Sequence, residues 1–467
     1  MMSHLVKIQS EKCKVQKSKI KMGNKIPSVG ISSLSICTLT FAFCTLQSLP
    51  SAAEKLTLTQ ALSLSLDSNR VYRIAALDAR TARDAVSWGG AGALPKVDAT
   101  ASYAKGINDT RQVRVGVPGA DIQNGAESTT KLAGVNGTWT VFEGLSSLAA
   151  HDRLASTAAL FDERRAQVRQ DLAAQVTLAY VDVVRQRTVL AALDSAVALS
   201  QERVKITKGK YGYGGESKLE LLQAQLDLNE DVSARLKQTV TVADSKRALN
   251  RLLAREDSVA FEVDDSIMLA APPPYEGLRN AALEQSPAVK QADLSQRVAS
   301  AGLREYVGHL FPSVGLSLGY NYNLAETQVG PLSSSEALGL SYGINVKLNL
   351  FDGFTLPDDY RNARRAVART RLQLDEARDQ VDAALSQAHG AYTASLEVLE
   401  LESANLALAR ENVGIAMERM RLGTIASLEL RDAENKYVNA QTRLVSARFE
   451  SKRAETELLR LAGRLAP

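Results

Sequence analysis

The chain is poor in the residue types that mark most catalytic, metal-binding and disulfide-stapled proteins. Of 467 residues only three are cysteine, and Cys13, Cys37 and Cys44 all fall within the first 53. From residue 54 onward no thiol is left, which excludes disulfides and cysteine-ligated metal there. Histidine is almost as scarce. His151, His309 and His389 stand apart, with no His-x-x-x-His pair and no acid at ligand spacing, so neither a metal site nor a catalytic group is expected. Gly212-Tyr213-Gly214-Gly215 is glycine-rich, but no Lys-Ser/Thr follows and no βαβ unit surrounds it, so no cofactor is expected either. Basic character is also missing from the body. Residues 1–53 hold seven lysines and one acid, Glu11, and their +6 exceeds the whole chain's +4, leaving about −2 for the rest. A nucleic-acid partner loses its support. After the first 53 residues no run reaches the roughly 18 apolar residues of a membrane-spanning helix.

Those 53 residues read as a signal peptide. The apolar stretch Val29–Leu46 precedes Ser51-Ala52-Ala53, a small-residue cleavage site, and Met22 would open a leader of ordinary length. Phe43 before Cys44 does not fit a lipidation site.

Glycine and proline are absent from 145–208, from 216–271 and from 424–462, stretches rich in Ala, Leu, Arg, Gln and Glu. Sixty-four helical residues would reach about 95 Å. Helices of that length need partners along their sides. Leu219, Leu222, Leu226, Leu236, Val240 and Ala243 form an alternating 3,4 stripe interrupted by Asn229 and Ser233, which also suits a generic coiled coil.

The chain is written twice. Phe142-Glu143-Gly144 returns as Phe351-Asp352-Gly353, and Leu219-Glu220-Leu221 as Leu428-Glu429-Leu430, at an offset of 209. Upstream the offset is 217, pairing Pro95, Val97 and Tyr103 with Pro312, Val314 and Tyr320, so one copy has eight extra residues between Tyr103 and Phe142. A unit this long is a whole fold segment rather than a solenoid repeat of roughly 20–50 residues. Repeats at 54–270 and 271–467 are expected, each ordered helix, strand, loop, strand, very long helix, turn, helix.

Four strands are predicted at about 96–104, 132–142, 313–324 and 338–351. Val314, Leu316, Leu318, Tyr320, Tyr322 and Leu324 alternate with small polar residues, as do Leu340, Tyr342, Ile344, Val346, Leu348 and Leu350. Runs of about eleven residues suit tilted membrane-spanning strands, although a soluble sandwich also alternates. The face carrying Trp139, Leu316, Leu318, Tyr320, Tyr342, Ile344 and Val346 would meet lipid. Four strands cannot close a barrel, and an open edge is forbidden in lipid. Two or more copies must therefore share one.

In these motifs the chain resembles the TolC-type outer membrane efflux protein family over 54–465. The resemblance is carried by Leu56-Thr57-Leu58-Thr59-Gln60-Ala61-Leu62 running on to Leu66 and Asn69, by the two Phe-acid-Gly turns, and by the two Gly-x5-acid-hydrophobic turns from Gly214 and Gly423. Where the family has Asn-Pro this chain has Asn69-Arg70, while Ser286-Pro287 keeps the proline. The resemblance implies a mainly α protein with a transmembrane β-barrel. Each protomer would give four strands and a long helical periplasmic tunnel, closing as a homotrimer with a 12-stranded barrel in the outer membrane of a Gram-negative bacterium. It implies passive exit for drugs, small molecules or secreted proteins, including type I secretion. These would be delivered by an inner-membrane RND or ABC transporter through a periplasmic adaptor. Tip turns at 209–217 and 420–427, with Gly214, Gly423, Tyr211 and Leu422, would contact the adaptor. Glu429 and Asp432, with Glu220 in the first copy, would form an acidic aperture ring. In the family's best-known member a Tyr and an Arg near the second turn lock the closed tip, and here those positions hold Met420 and Ile425. A periplasmic coiled-coil scaffold and an adhesin-like trimeric outer membrane protein are the alternatives. The adhesin's strands would be contiguous, whereas these fall in two separated hairpins.

Overall fold

A computed structural model describes residues 54–465, apart from 114, 116, 117, 265, 266, 272 and 331. The chain divides into two units, Met1–Glu54 and Lys55–Pro467. The signal peptide expected at 1–53 lies outside the described residues.

The first half runs β1 (Glu54–Leu56), α1 (Leu58–Ser68), α2 (Arg70–Asp84), β2 (Lys96–Val113), β3 (Ala120–Glu143), α3 (Ser146–Gly212), α4 (Lys218–Leu252). The second runs β4 (Phe261–Val263), α5 (Tyr275–Gln285), α6 (Pro287–Gly308), β5 (Ser313–Thr327), β6 (Ser334–Lys347), α7 (Thr355–Arg421), α8 (Ser427–Leu461). The long helices α3 and α7 have 67 residues each, and their return helices α4 and α8 have 35 each. At ~1.5 Å per residue the long pair reach about 100 Å.

Short helices open each half with local signals. Thr57 caps α1 in a capping box with Gln60. Asn69 caps α2, its Oδ1 accepting from the N–H groups of Val71 (2.9 Å) and Tyr72 (3.4 Å), while its Nδ2 donates to the Leu252 carbonyl at 3.0 Å. Arg70 replaces proline at no cost in bonding, because the first helical N–H has no intrahelical acceptor. Pro287 holds that position in α6.

Two cores lie along the long helices. In one, Leu172, Val176, Leu249 and Leu253 pack with Leu56 and Phe261; in the other, Val381, Leu385, Leu458 and Ala462 pack with Leu278 and Val289. The four positions match across the halves at the 209-residue offset. Tyr180 joins β1 to the segment after β4, its hydroxyl donating to the Leu56 carbonyl (3.0 Å) and accepting from the Asp264 N–H (3.0 Å).

All four long strands form one antiparallel sheet in the order β2-β3-β5-β6, so the two halves are joined at β3–β5. The strands outrun the expected 96–104, 132–142 and 313–324, and β6 is shifted back from 338–351. The residues expected as loops, 105–131 and 325–337, are largely paired backbone. Beyond the apolar band strands need only ladder hydrogen bonds, so pairing continues where alternation fades. A bulge at Asn108/Thr110 is buttressed by the Gly125 N–H donating to Asp109 Oδ1 at 2.7 Å. No described helix is long and apolar enough to cross a membrane.

The sheet returns to helix through Gly144-Leu145 and Gly353-Phe354, all four at positive φ. Glycine is required at 144, since a Cβ there would lie 2.2 Å from the Gly308 carbonyl oxygen. That close approach seats the end of α6 against the start of α3.

Candidate functional site: the helical tip and the open sheet

At the far end of the long helices the two hairpins turn alike. The turns, 213–217 and 422–426, are shorter than the expected 209–217 and 420–427, because Gly209 and Met420 are still helical. Gly214 and Gly423 both have φ +76°. The N–H of Gly215 donates to the Lys210 carbonyl and that of Gly214 to Tyr211; Thr424 donates to Arg419 and Gly423 to Met420. Each is the paired 6→1 and 5→2 closure that a left-handed residue after a helix permits. Tyr211 and Leu422 are exposed beside these turns.

The restarts differ. Ser217 caps α4, accepting from the Glu220 N–H at 3.2 Å, and Glu220 accepts from the Ser217 N–H at 3.1 Å. Ala426 gives α8 no side-chain cap. A hydrogen bond shared with Glu216, then the Ser217 N–H, holds the Glu220 carboxyl below its ordinary value; the same shared bond, followed by burial, pushes Glu216 up. Glu220 is therefore engaged in its own turn. Glu429 and Asp432 are exposed in a groove between α7 and α8 that also holds Arg419, Ile425 and Lys436. Lys436 lies 2.6 Å from Asp432. The structure thus brings Glu429 and Asp432 together and leaves Glu220 on the other hairpin.

Met420 and Ile425 are buried with Leu430, with Ile206 of α3 packed against them. An apolar contact occupies the place of a polar lock, joined by Lys210 donating to Met420 Sδ at 3.9 Å and by Arg421–Glu202 at 3.4 Å.

Next to this cluster lies a buried charge network that the sequence reading passed over. Arg203 of α3, 1% exposed, pairs with Asp227 of α4 at 2.8 Å and with Glu434 of α8 at 3.2 Å. Arg431 of α8 pairs with Asp231 of α4 at 2.8 Å, and Ser200 donates to the same carboxylate. Burial works to raise Asp227, but hydrogen bonds from Arg203 and Gln223 and the two guanidinium charges hold it below its ordinary value. Burial pushes Glu434 up to about 7 against those same two arginines. The available signal was spacing: Asp227 and Asp231 put two acids on one face of α4, and Arg431 and Glu434 put a base and an acid on one face of α8.

At the other end, the ladder aligns side chains in rows. Trp139, Leu316 and Ile344 are paired across β3, β5 and β6, as are Val135, Tyr320 and Leu340; Leu318 pairs with Tyr342, and Val314 with Val346. Trp139, Leu316, Leu318, Tyr320, Tyr342, Ile344 and Val346 are all exposed on one face. The opposite face is small and polar, with Asn321 Nδ2 donating to Asn136 Oδ1 at 3.1 Å beside Gly319 and Ser341. The outer edges of β2 and β6 are unpaired in this four-stranded sheet. The stripe on α4 is also uncovered: Leu219, Leu222, Leu226, Leu236 and Val240 are exposed, and α4 instead buries Ala224, Asp227, Ser245 and Leu249. A stripe expected to pack within the coil thus finds no partner among the described residues.

A sheet with two open edges on a duplicated pair of 67-residue helices defines a class of membrane channel. The model of the outer membrane efflux protein family matches residues 61–255 and 278–464, and the chain belongs to that family. It is 21% identical over 343 residues to outer membrane efflux protein BepC of Brucella suis, covering 72% of this chain and 73% of that protein. It is 23% identical over 377 residues to outer membrane protein TolC of Vibrio cholerae, covering 80% and 83%. The solved outer-membrane channel OprN superposes with TM-score 0.73 at 20% identity, covering 87% and 89%. The protein is thus an outer membrane channel-tunnel for export, with most of its length in the periplasm. Family members are channels rather than enzymes.

Proposed function

We propose that the chain acts without catalysis, as the passive outer duct of a tripartite exporter, and that three copies close one 12-stranded barrel. The repeats 54–270 and 271–467 each lend one hairpin. The observation that carries this reading is the open sheet itself. Strands β2 and β6 leave rows of unpaired N–H and C=O groups, which lipid does not tolerate. Pairing β6 of one copy with β2 of the next removes every edge. The apolar face then meets lipid. Ten steps from Val314 to Leu324 at ~3.3 Å, tilted near 40°, give a band about 25 Å tall. Lys131, opposite Leu324 at the band's rim, reaches Glu326 (3.8 Å), and Lys105–Glu127 (2.9 Å) lies beyond it. The uncovered stripe on α4 supports the same assembly, because it needs a neighbouring helix.

The tip turns at Gly214 and Gly423, with Tyr211 and Leu422 exposed beside them, meet the hairpin of a periplasmic adaptor. The adaptor in turn joins an inner-membrane RND or ABC transporter. Threefold symmetry gathers Glu429 and Asp432 of the α7–α8 hairpin, with Glu220 of the α3–α4 hairpin, into an acidic aperture around the axis. The cargo, drugs or small molecules or secreted proteins, is chosen by the inner-membrane partner. Deleting the gene and restoring it in trans tests this: export of substrates of the neighbouring pump is lost and regained. Export that continues without the protein contradicts it.

A further inference from the structure

The buried network at the tip holds an odd number of charges. Two guanidinium groups, Arg203 and Arg431, face three enclosed carboxyl groups, Asp227, Asp231 and Glu434, while Glu230, 3.9 Å from Arg431, stands in solvent. Asp231 receives two hydrogen bonds from Arg431, at 2.8 and 3.0 Å, and one from Ser200. Asp227 receives Arg203 Nη1 at 2.8 Å and Gln223 Nε2 at 3.0 Å. Glu434 is 2% exposed, and neither of its carboxyl oxygens has a hydrogen-bond partner; the Arg203 Nε at 3.2 Å is outside bonding geometry. The surplus negative charge therefore falls on the one carboxyl with the weakest solvation. An uncompensated buried charge is costly, and a carboxyl sheds it by taking up a proton.

The groups around Glu434 come from three helices. Arg203 belongs to α3, Asp227 and Asp231 to α4, and Arg431 to its own helix. Near the same level α7 adds the apolar Ala416, Met417 and Met420. The network is thus a tie between the α3–α4 hairpin and α8, and its net charge changes from −1 to 0 on protonation.

We propose that Glu434 is a proton-binding site that sets how firmly α8 is tied to the α3–α4 hairpin: proton uptake tightens the tie and proton release loosens it. This rests on the reading of the tip as the channel's aperture only for its consequence, that the aperture is held shut at mildly acidic pH and opens more readily above neutrality. Protonated, Glu434 leaves two cations matched by two anions. Ionised, it adds a charge that Asp227 and Asp231 repel. Its folded-state pKa is raised to about 7, so the tie is at full strength below the ordinary carboxyl range and is lost as pH rises through about 7. Against a separated state in which Glu434 is solvated, the tied-to-free ratio falls about tenfold between pH 6 and pH 8.

Hydrogen exchange of the detergent-solubilised protein, corrected for intrinsic rates, measures the tie directly. Amides of 199–212 and 427–440 should lose about tenfold protection between pH 6 and pH 8, and Glu434→Gln, a neutral mimic, should stay protected at both. Equal pH responses in parent and variant overturn the proposal. Should the variant not assemble, constant protection in the parent between pH 6 and pH 8 overturns it alone. Planar-bilayer conductance separates the two readings: a proton-dependent tie with pH-independent conductance sinks the tip as gate and leaves the proton site standing.

Discussion

Gly214 and Gly423, 209 residues apart, hold the same φ of +76° and close their helices with the same pair of hydrogen bonds. A Cβ at 214 meets nothing within 4 Å, and one at 423 only Lys210 Nζ at 4.0 Å. What selects glycine at these turns is the left-handed backbone, worth about 1–2 kcal/mol for other residues, since there is room for a side chain.

Gly423→Val should therefore cost the turn about 1–2 kcal/mol, leave trimers in the membrane and abolish adaptor-dependent export. Trimer content on gels and substrate efflux check this. Unchanged efflux would show that the second turn takes no part in docking.

Neutralising the groove acids, Glu429→Gln with Asp432→Asn, should lower cation selectivity and relieve block by divalent cations in planar bilayers. Both side chains are exposed, so assembly should not change. Reversal potentials identical to the parent's would reduce the pair to solvated helix charges.

Arg203→Met removes the cation that faces both Asp227 and Glu434. Stranding buried carboxylates costs about 3–5 kcal/mol. The loss should appear as early local unfolding of the α3–α4 tip in chemical denaturation. It should be smaller at pH 6 than at pH 8, because Glu434, with its raised pKa of about 7, is then neutral. A tip as stable as the parent's would mean the network is solvated in the assembly.

Leu226→Asp or Leu236→Asp, on the uncovered stripe of α4, should leave the protomer's helix content intact and reduce trimer yield. Analytical ultracentrifugation in detergent checks this. Full trimer yield would place the protomer seam elsewhere.

Much of this architecture was legible in the sequence because its causes are local or periodic. Missing glycine and proline marked α3, and the repeated Phe-acid-Gly and Gly-x5-acid motifs fixed both ends of each long helix. Alternation in Val314–Leu324 marked the second hairpin. The strands' outer reaches were hidden, because backbone pairing through Lys105–Val113 and Ala120–Thr130 leaves no apolar pattern. The stripe on α4 was visible, but its exposure among the described residues depends on how α4 rolls against α3, burying Ala224 and Leu249 instead. Arg203, Asp227 and Glu434 look like solvated helix charges until three helices 24 and more residues apart in sequence bring them together.

No single protomer can seal the sheet that β2 and β6 leave open. Native mass spectrometry of the protein extracted from outer membranes in detergent tests it most directly. A homotrimer that needs detergent to stay in solution is expected; a monomer soluble in plain buffer would mean that the sheet is closed in some other way.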